Sequence, residues 1–138
     1  MKRITVIGSG YVGTAVACLL STKNMVAVID TDKEIIHKLS KQISHLDDPQ
    51  IKKYLKKNKN NLKFSTELTS AISKTDLYIL CLPTDFLVSK NEFDTKNLKS
   101  VISELTELDP KVPILIKSTA PMHFTDEMNK EFLSLIHI

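Results

Sequence analysis

"ITVIGSGYVG", residues 4–13, joins a short β-rich apolar run to three glycines spaced G-x-G-x-x-G. The run before the glycines reads as a buried strand. The residues after them, "GYVGTAVACLLSTKN", carry Val12, Ala15, Val16, Leu19 and Leu20 at helical spacing. Alone, the glycine pattern also fits a turn that binds nothing. Placed between a strand and a helix, it is the fingerprint of a dinucleotide-binding turn. Gly8 permits the tight turn, Gly10 lets backbone approach a pyrophosphate, and Gly13 lets the helix pack closely on the strand. The helix N-terminus, with Tyr11 and Val12 in its first turn, offers free N–H groups and partial positive charge to phosphates.

Working outward, "MVAVID" reads as a second buried strand that closes on Asp30, seventeen residues after Gly13. A carboxylate there can accept hydrogen bonds from both hydroxyls of an adenosine ribose and repels a 2′-phosphate, so NAD is expected over NADP. "TDKEIIHKLSKQI" predicts a helix with Ile35, Ile36, Leu39 and Ile43 on its apolar side, and "DDPQIKKYLKKNKN" a short one with Pro49 near its start. "LKFST" follows as a brief strand, "TELTSAISKT" as a short helix, and "DLYILCLP" as a third strong strand. "DTKNLKSVISELTEL" reads as a helix capped by Asp94. "VPILIKST" is a fourth strong strand and "MHFTDEMNKEF" a last helical segment. The strong strands are apolar throughout, as expected when helices cover both faces of a parallel sheet. The expected fold is therefore α/β, a doubly wound parallel sheet of Rossmann type, truncated before its second half is complete.

Two strands end in polar, proline-marked turns, "LCLPTDF" and "LIKSTAP". In such sheets ligands lie at the C-terminal strand ends, so Thr84 and Thr119 should face the cofactor crevice. From these residues alone, Thr119 is equally well a hydroxyl that caps the next helix.

The bulk properties exclude several classes. A chain with 42% apolar and 25% charged residues has the composition of a folded domain, which excludes disorder and coiled coil. The net charge of +3 implies no particular partner. The lysines between Lys52 and Lys63 are interrupted by Tyr54, Leu55 and asparagines, so they read as a solvated helix face and no nucleic acid is expected. No apolar run reaches membrane-spanning length, and Lys2-Arg3 leads straight into a strand, so a cytoplasmic protein without membrane contact is expected. Cys18 and Cys81 lie far apart in apolar runs and read as reduced core thiols; with four scattered histidines, no metal site is expected.

"ITVIGSGYVG", "VID", "LPTDF" and "IKSTAP", in this order and spacing, resemble the UDP-glucose 6-dehydrogenases, within the wider UDP-glucose/GDP-mannose dehydrogenase family. The resemblance covers about residues 2–132 and extends to "NEFDTKNLKSVISEL", which is similar to the helix after the proline-threonine turn of bacterial members. It implies an N-terminal NAD-binding domain over 1–132. It places Gly8, Gly10, Tyr11, Val12 and Gly13 at the phosphates, Asp30 at the adenine ribose and Thr84 near the cofactor. It puts Thr119 at the nicotinamide and active-site edge, where the family's threonine helps hold a water. Relatives often carry a lysine five residues after the ribose-binding acid; Ile35 stands there, and Lys33 is the cation that would substitute. Phe86 stands where many bacterial relatives have tyrosine, and Met122-His123 where valine or isoleucine and then glycine are usual.

For the full-length enzyme the resemblance implies oxidation of UDP-glucose to UDP-glucuronate with two NAD and water, the aldehyde being trapped on a cysteine thiolate. That cysteine and most of the nucleotide-sugar site would belong to later domains, so the fragment alone is expected to be inactive and the full-length parent a homodimer. "DDPQIKKYL" and the P-T-D motif favour UDP-glucose over the alternatives, UDP-N-acetylmannosamine or GDP-mannose. A non-catalytic NAD-binding module is the remaining alternative. The last six residues, "LSLIHI", do not resemble the family and read like a translated transposon-end sequencing adapter, so 133–138 is expected to be a non-native tail.

Overall fold

A computed structural model describes residues 1–72 and 74–132. In chain order its elements are β1 (Arg3–Ile7), α1 (Tyr11–Leu20), β2 (Met25–Ile29), α2 (Lys33–Ser40), α3 (Pro49–Lys57), β3 (Leu62–Ser65) and α4 (Thr69–Ile72). There follow β4 (Leu77–Leu80), the short strands β5 (Phe86–Leu87) and β6 (Glu92–Phe93), α5 (Lys96–Leu108), β7 (Ile114–Ile116) and α6 (Phe124–Glu131). The expectation for 133–138 lies outside the described residues.

Among the described residues, five strands form one all-parallel sheet in the order β3-β2-β1-β4-β7. Chain direction reverses its spread at β1: β2 and β3 extend to one side, β4 and β7 to the other. Neighbouring residues on a strand point to opposite faces, and each face has its own core. Val6, Val28 and Ile79 pack with Ala17 and Cys18 of α1, Leu39 of α2 and Leu55 of α3. Ile7, Ile29 and Leu80 pack on the other face with Leu98, Ile102 and Leu105 of α5 and Phe124 and Met128 of α6. The three α5 residues are fully buried, each stabilising its docking by about 1.5–3 kcal/mol. The doubly wound α/β architecture is thus present.

Local chemistry sets the helix ends. The Asp32 carboxylate accepts from the N–H groups of Glu34 and Ile35 at 3.0 and 3.1 Å, which starts α2. Asp48 does the same for Gln50 and Ile51 at 2.8 and 3.2 Å, with Pro49 as the first residue of α3.

Several details differ from the sequence reading. In α1 the buried face is Gly13, Thr14, Ala17 and Cys18; Val12 and Leu19 are exposed. Helix α2 stops at Ser40 because Gln42 takes a left-handed conformation (φ 57°), and Ile43 is left exposed. Asp94 sits one residue before the cap of α5: Thr95 is the N-cap, and the Asp94 carboxylate accepts from the N–H of Lys96 at 3.1 Å. The segment 86–93 forms a small antiparallel hairpin, in which Phe86 and Phe93 meet edge to face with ring centroids 5.2 Å apart. Among the described residues no helix is long and apolar enough to cross a membrane, and no group of His, Cys, Asp and Glu could hold a metal ion.

Candidate cofactor cleft

A cleft runs along the C-terminal ends of the strands, where the two sides of the sheet diverge. One wall is the turn between β1 and α1 with the end of β2; the other is the turns after β4 and β7. Gly8, Gly10, Tyr11, Val12, Asp30, Thr84 and Thr119 all line it. Gly13 lies beneath the turn, buried. Lys33 is exposed on the first turn of α2 and is not among the lining residues.

The glycine turn is shaped by steric necessity. Gly8 has φ +103°, and a Cβ there would strike the Cys81 carbonyl. Its N–H donates to the Ile29 carbonyl at 2.8 Å, tying the turn to the end of β2. A Cβ on Gly13 would run into the Gly8 carbonyl, so α1 can approach β1 only because that atom is missing. A Cβ on Gly10 would meet nothing within 4 Å. The space it leaves opens on the cleft. Among the described residues no side chain caps α1, so its first N–H groups keep no intrahelical or side-chain acceptor there. Thr14 braces the turn from below, its hydroxyl donating to the Ser9 carbonyl at 2.9 Å.

Asp30 stands at the cleft edge in a defined pose. Its Oδ2 accepts from the Ser9 N–H at 2.8 Å and the Ser9 hydroxyl at 2.6 Å, and its Oδ1 accepts from the Asp32 N–H at 2.9 Å. Burial by itself raises the Asp30 carboxyl; the Ser9 hydroxyl, the Asp32 and Ser9 N–H groups and the nearby His45 reverse this, so it lies below its ordinary range. It is ionised at neutral pH. Tyr11 is exposed, and its hydroxyl donates to Asp48, which links the glycine turn to the cap of α3.

The far wall is stitched by hydroxyls. The Ser118 hydroxyl accepts from the Leu82 N–H at 2.9 Å, and the Lys117 and Ser118 N–H groups both donate to the Leu80 carbonyl, at 2.9 and 3.2 Å. The Thr84 hydroxyl donates to the Thr119 carbonyl. Thus Ser118 and Thr84 join the turns after β4 and β7, while Thr119 is the exposed residue at their junction. The Asp94 N–H donates to the Asp85 carbonyl at 2.7 Å and closes the base of the hairpin, where Asp85 lines the cleft. Lys117 also lines the cleft. Cys81 also lines the cleft, half-buried; burial raises its thiol against the opposing effect of Lys117. Cys18 is buried and pushed up to about 11 by burial and by Asp48.

These features fit a dinucleotide: an uncapped helix N-terminus for a diphosphate, open space over Gly10 for its close approach, and a fixed carboxylate for a ribose. The profile of the UDP-glucose/GDP-mannose dehydrogenase family, NAD binding domain, matches residues 2–135. The chain belongs to this family. Its domain is the NAD-binding one, as the glycine turn and Asp30 led one to expect. The chain is 33% identical over 130 residues to a UDP-glucose 6-dehydrogenase of Streptococcus pneumoniae, covering 94% of this chain and 33% of that protein. It is 30% identical over 132 residues to a UDP-glucose 6-dehydrogenase of Campylobacter jejuni, covering 94% and 34%. A solved UDP-D-ManNAc dehydrogenase of Pyrococcus horikoshii superposes with a TM-score of 0.86 at 25% identity, covering 96% of this chain and 32% of that one. This chain thus spans about a third of the length of these relatives.

Sequence reasoning missed Ser9, Ser118 and the cleft position of Lys117. Ser9 sits inside the glycine motif at a place where the pattern accepts any residue. Ser118 was visible only as one of two adjacent hydroxyls, with nothing to tell which would turn inward.

Proposed function

We propose that this domain is the cofactor-binding part of an NAD-dependent nucleotide-sugar dehydrogenase that oxidises UDP-glucose to UDP-glucuronate. The observation that carries the reading is the ionised Asp30 carboxylate held at the cleft edge beside an uncapped helix N-terminus. The N–H groups at the start of α1 hold the diphosphate, and the glycine turn lets it approach. Asp30 accepts from the ribose and repels a 2′-phosphate. NAD, when bound, supplies the hydride acceptor. Thr119, at the junction of the two far turns, holds a water beside the reacting carbon, and the hydroxyl stitches of Ser118 and Thr84 keep that edge rigid. Lys33 contributes positive charge at the start of α2, at the rim of the ribose site. The nucleophile and most of the sugar-nucleotide contacts belong to the remaining two-thirds of the protein, which acts as a cytoplasmic homodimer.

UDP-glucose is the first reading on the "DDPQIKKYL" and P-T-D stretches, and relatives of that name reach 30% and 33% identity beside 32% for a UDP-N-acetyl-D-mannosamine dehydrogenase. UDP-N-acetylmannosamine is the second reading, supported by the superposition on the Pyrococcus horikoshii enzyme. Titrating the 138-residue chain with NAD and NADP tests the cofactor half. NAD should bind tighter, and Asp30→Ala should weaken it about tenfold or more, the size of one or two charge-assisted hydrogen bonds. Equal affinities for both cofactors in the unmutated chain would overturn it. The substrate half is read from the full-length protein, as two NADH per UDP-glucose against none from UDP-N-acetylmannosamine.

A further inference from the structure

We infer that Ser9 is the positioning residue for cofactor choice: it clamps one oxygen of Asp30, so that the carboxylate presents a fixed charge and a single free edge to the ribose. The inference rests on the proposed NAD-binding role of Asp30 and deepens it.

An ionised carboxylate offers about four acceptor positions, two on each oxygen. Both positions on Oδ2 are filled from one residue, by the Ser9 N–H at 2.8 Å and its hydroxyl at 2.6 Å. On Oδ1 the Asp32 N–H takes one position at 2.9 Å. Among the described residues one position remains, on the oxygen that Ser9 does not hold. Asp30 therefore accepts one ribose hydroxyl in this pose rather than the two expected from its place at the strand end. The hydroxyl of Ser9 donates, and an ionised acceptor makes that bond strong. Ser9 itself is fully buried, so its hydroxyl has the Asp30 carboxylate rather than solvent as acceptor.

The clamp also joins two recognition elements. Ser9 lies between Gly8 and Gly10 in the phosphate turn, and Asp30 lies at the end of the neighbouring strand. Their paired bonds hold turn and ribose acceptor in one geometry, beside the Gly8 N–H bond to the Ile29 carbonyl. Without the hydroxyl, Oδ2 keeps only the backbone donor. The carboxylate can then rotate, because the terminal torsion of aspartate is soft. A rotating charge discriminates less well against a 2′-phosphate. A serine that merely satisfied its own hydroxyl would leave cofactor choice untouched.

The test is a double-mutant cycle in the 138-residue chain: Ser9→Ala, Asp30→Ala and the double variant, each titrated calorimetrically with NAD and NADP. Ser9→Ala should lower NAD affinity about tenfold while NADP affinity holds or rises, narrowing the preference by a similar factor. In the Asp30→Ala background the same substitution should change NAD affinity by less than about twofold. Carbon-13 titration of the Asp30 carboxyl should show its pKa rising in Ser9→Ala. Ser9→Thr, which keeps the hydroxyl, should retain the preference, and it serves as the second variant should the alanine chain fail to fold. Equal losses for NAD and NADP, an undiminished loss in the Asp30→Ala background, or a Ser9→Thr chain without preference would each overturn the clamp. The two readings fail differently. If the unmutated chain shows no preference, or Asp30→Ala is neutral, the role of Asp30 falls and the clamp with it. If Asp30→Ala behaves as expected and Ser9→Ala is neutral, the clamp alone falls.

Discussion

On the β1–β2 side of the cleft the shaping is done by what is missing: no Cβ on Gly8, Gly10 or Gly13 and no side-chain cap on α1. On the β4–β7 side it is done by added atoms, the hydroxyls of Ser118 and Thr84 crossing between two turns. The first wall takes the shape of its turn from sterics, with the Ser9 and Thr14 hydroxyls tying that turn to Asp30 and to α1. The second holds its edge with side chains, and its geometry is fixed by hydrogen bonds that could be removed one at a time. A backbone wall should therefore fail all at once, and a hydroxyl-stitched wall by degrees.

The largest effect should come from the glycine wall. Gly13→Ala drives a methyl into the Gly8 carbonyl and should cost more than about 3 kcal/mol, lowering the melting temperature by more than about 10 °C. Gly10→Ala meets open space and should leave melting nearly unchanged while weakening NAD at least about tenfold. A Gly10→Ala chain that melts early yet binds normally would erase the distinction. Ser118→Ala, on the other wall, leaves the Leu82 N–H without its acceptor and should cost about 1 kcal/mol, or about 4 °C, with only a two- to threefold change in NAD affinity, on the order of 0.5 kcal/mol. A loss as large as that of Gly13→Ala would show the far wall to be equally brittle. The smallest effect has the opposite sign. His123 sits at φ 65°, exposed, at the start of α6, and His123→Gly relieves that conformation. Stability should rise by up to about 1 kcal/mol, read as a small upward shift in melting. A lower melting temperature would mean that the imidazole contact with Asp126 outweighs the backbone term.

The asymmetry also explains what could be read in advance. Apolar strands and a glycine pattern are statements about backbone, so the glycine turn and the place of Asp30 were legible from residues 4–30, and the parallel sheet once "DLYILCLP" and "VPILIKST" were added. The hairpin over 86–93 was not, since strands of two residues leave no alternation to detect. The end of α2 was missed for a related reason. Gln42 adopts the left-handed conformation that a glycine would have announced, so nothing in "HKLSKQI" marks the stop. The partners of Ser9 and Ser118 lie 21 and 36 residues away, and no local pattern encodes which hydroxyl reaches which acceptor.

The central place of β1 has a bearing on how the chain comes together. Ile4 pairs with Val26 across one short crossover, but with Leu77 only after more than half of the chain. Contacts of such sequence separation form slowly, and synthesis delivers them late. The glycine turn, β2 and Asp30 can therefore assemble while the Cys81 carbonyl that closes over Gly8 is still unmade. Until Leu77 arrives, β1 presents an open, strongly apolar edge on the side that β4 will occupy. Between the completion of β3 and that of β4 this edge is open to pairing with a second copy of the chain.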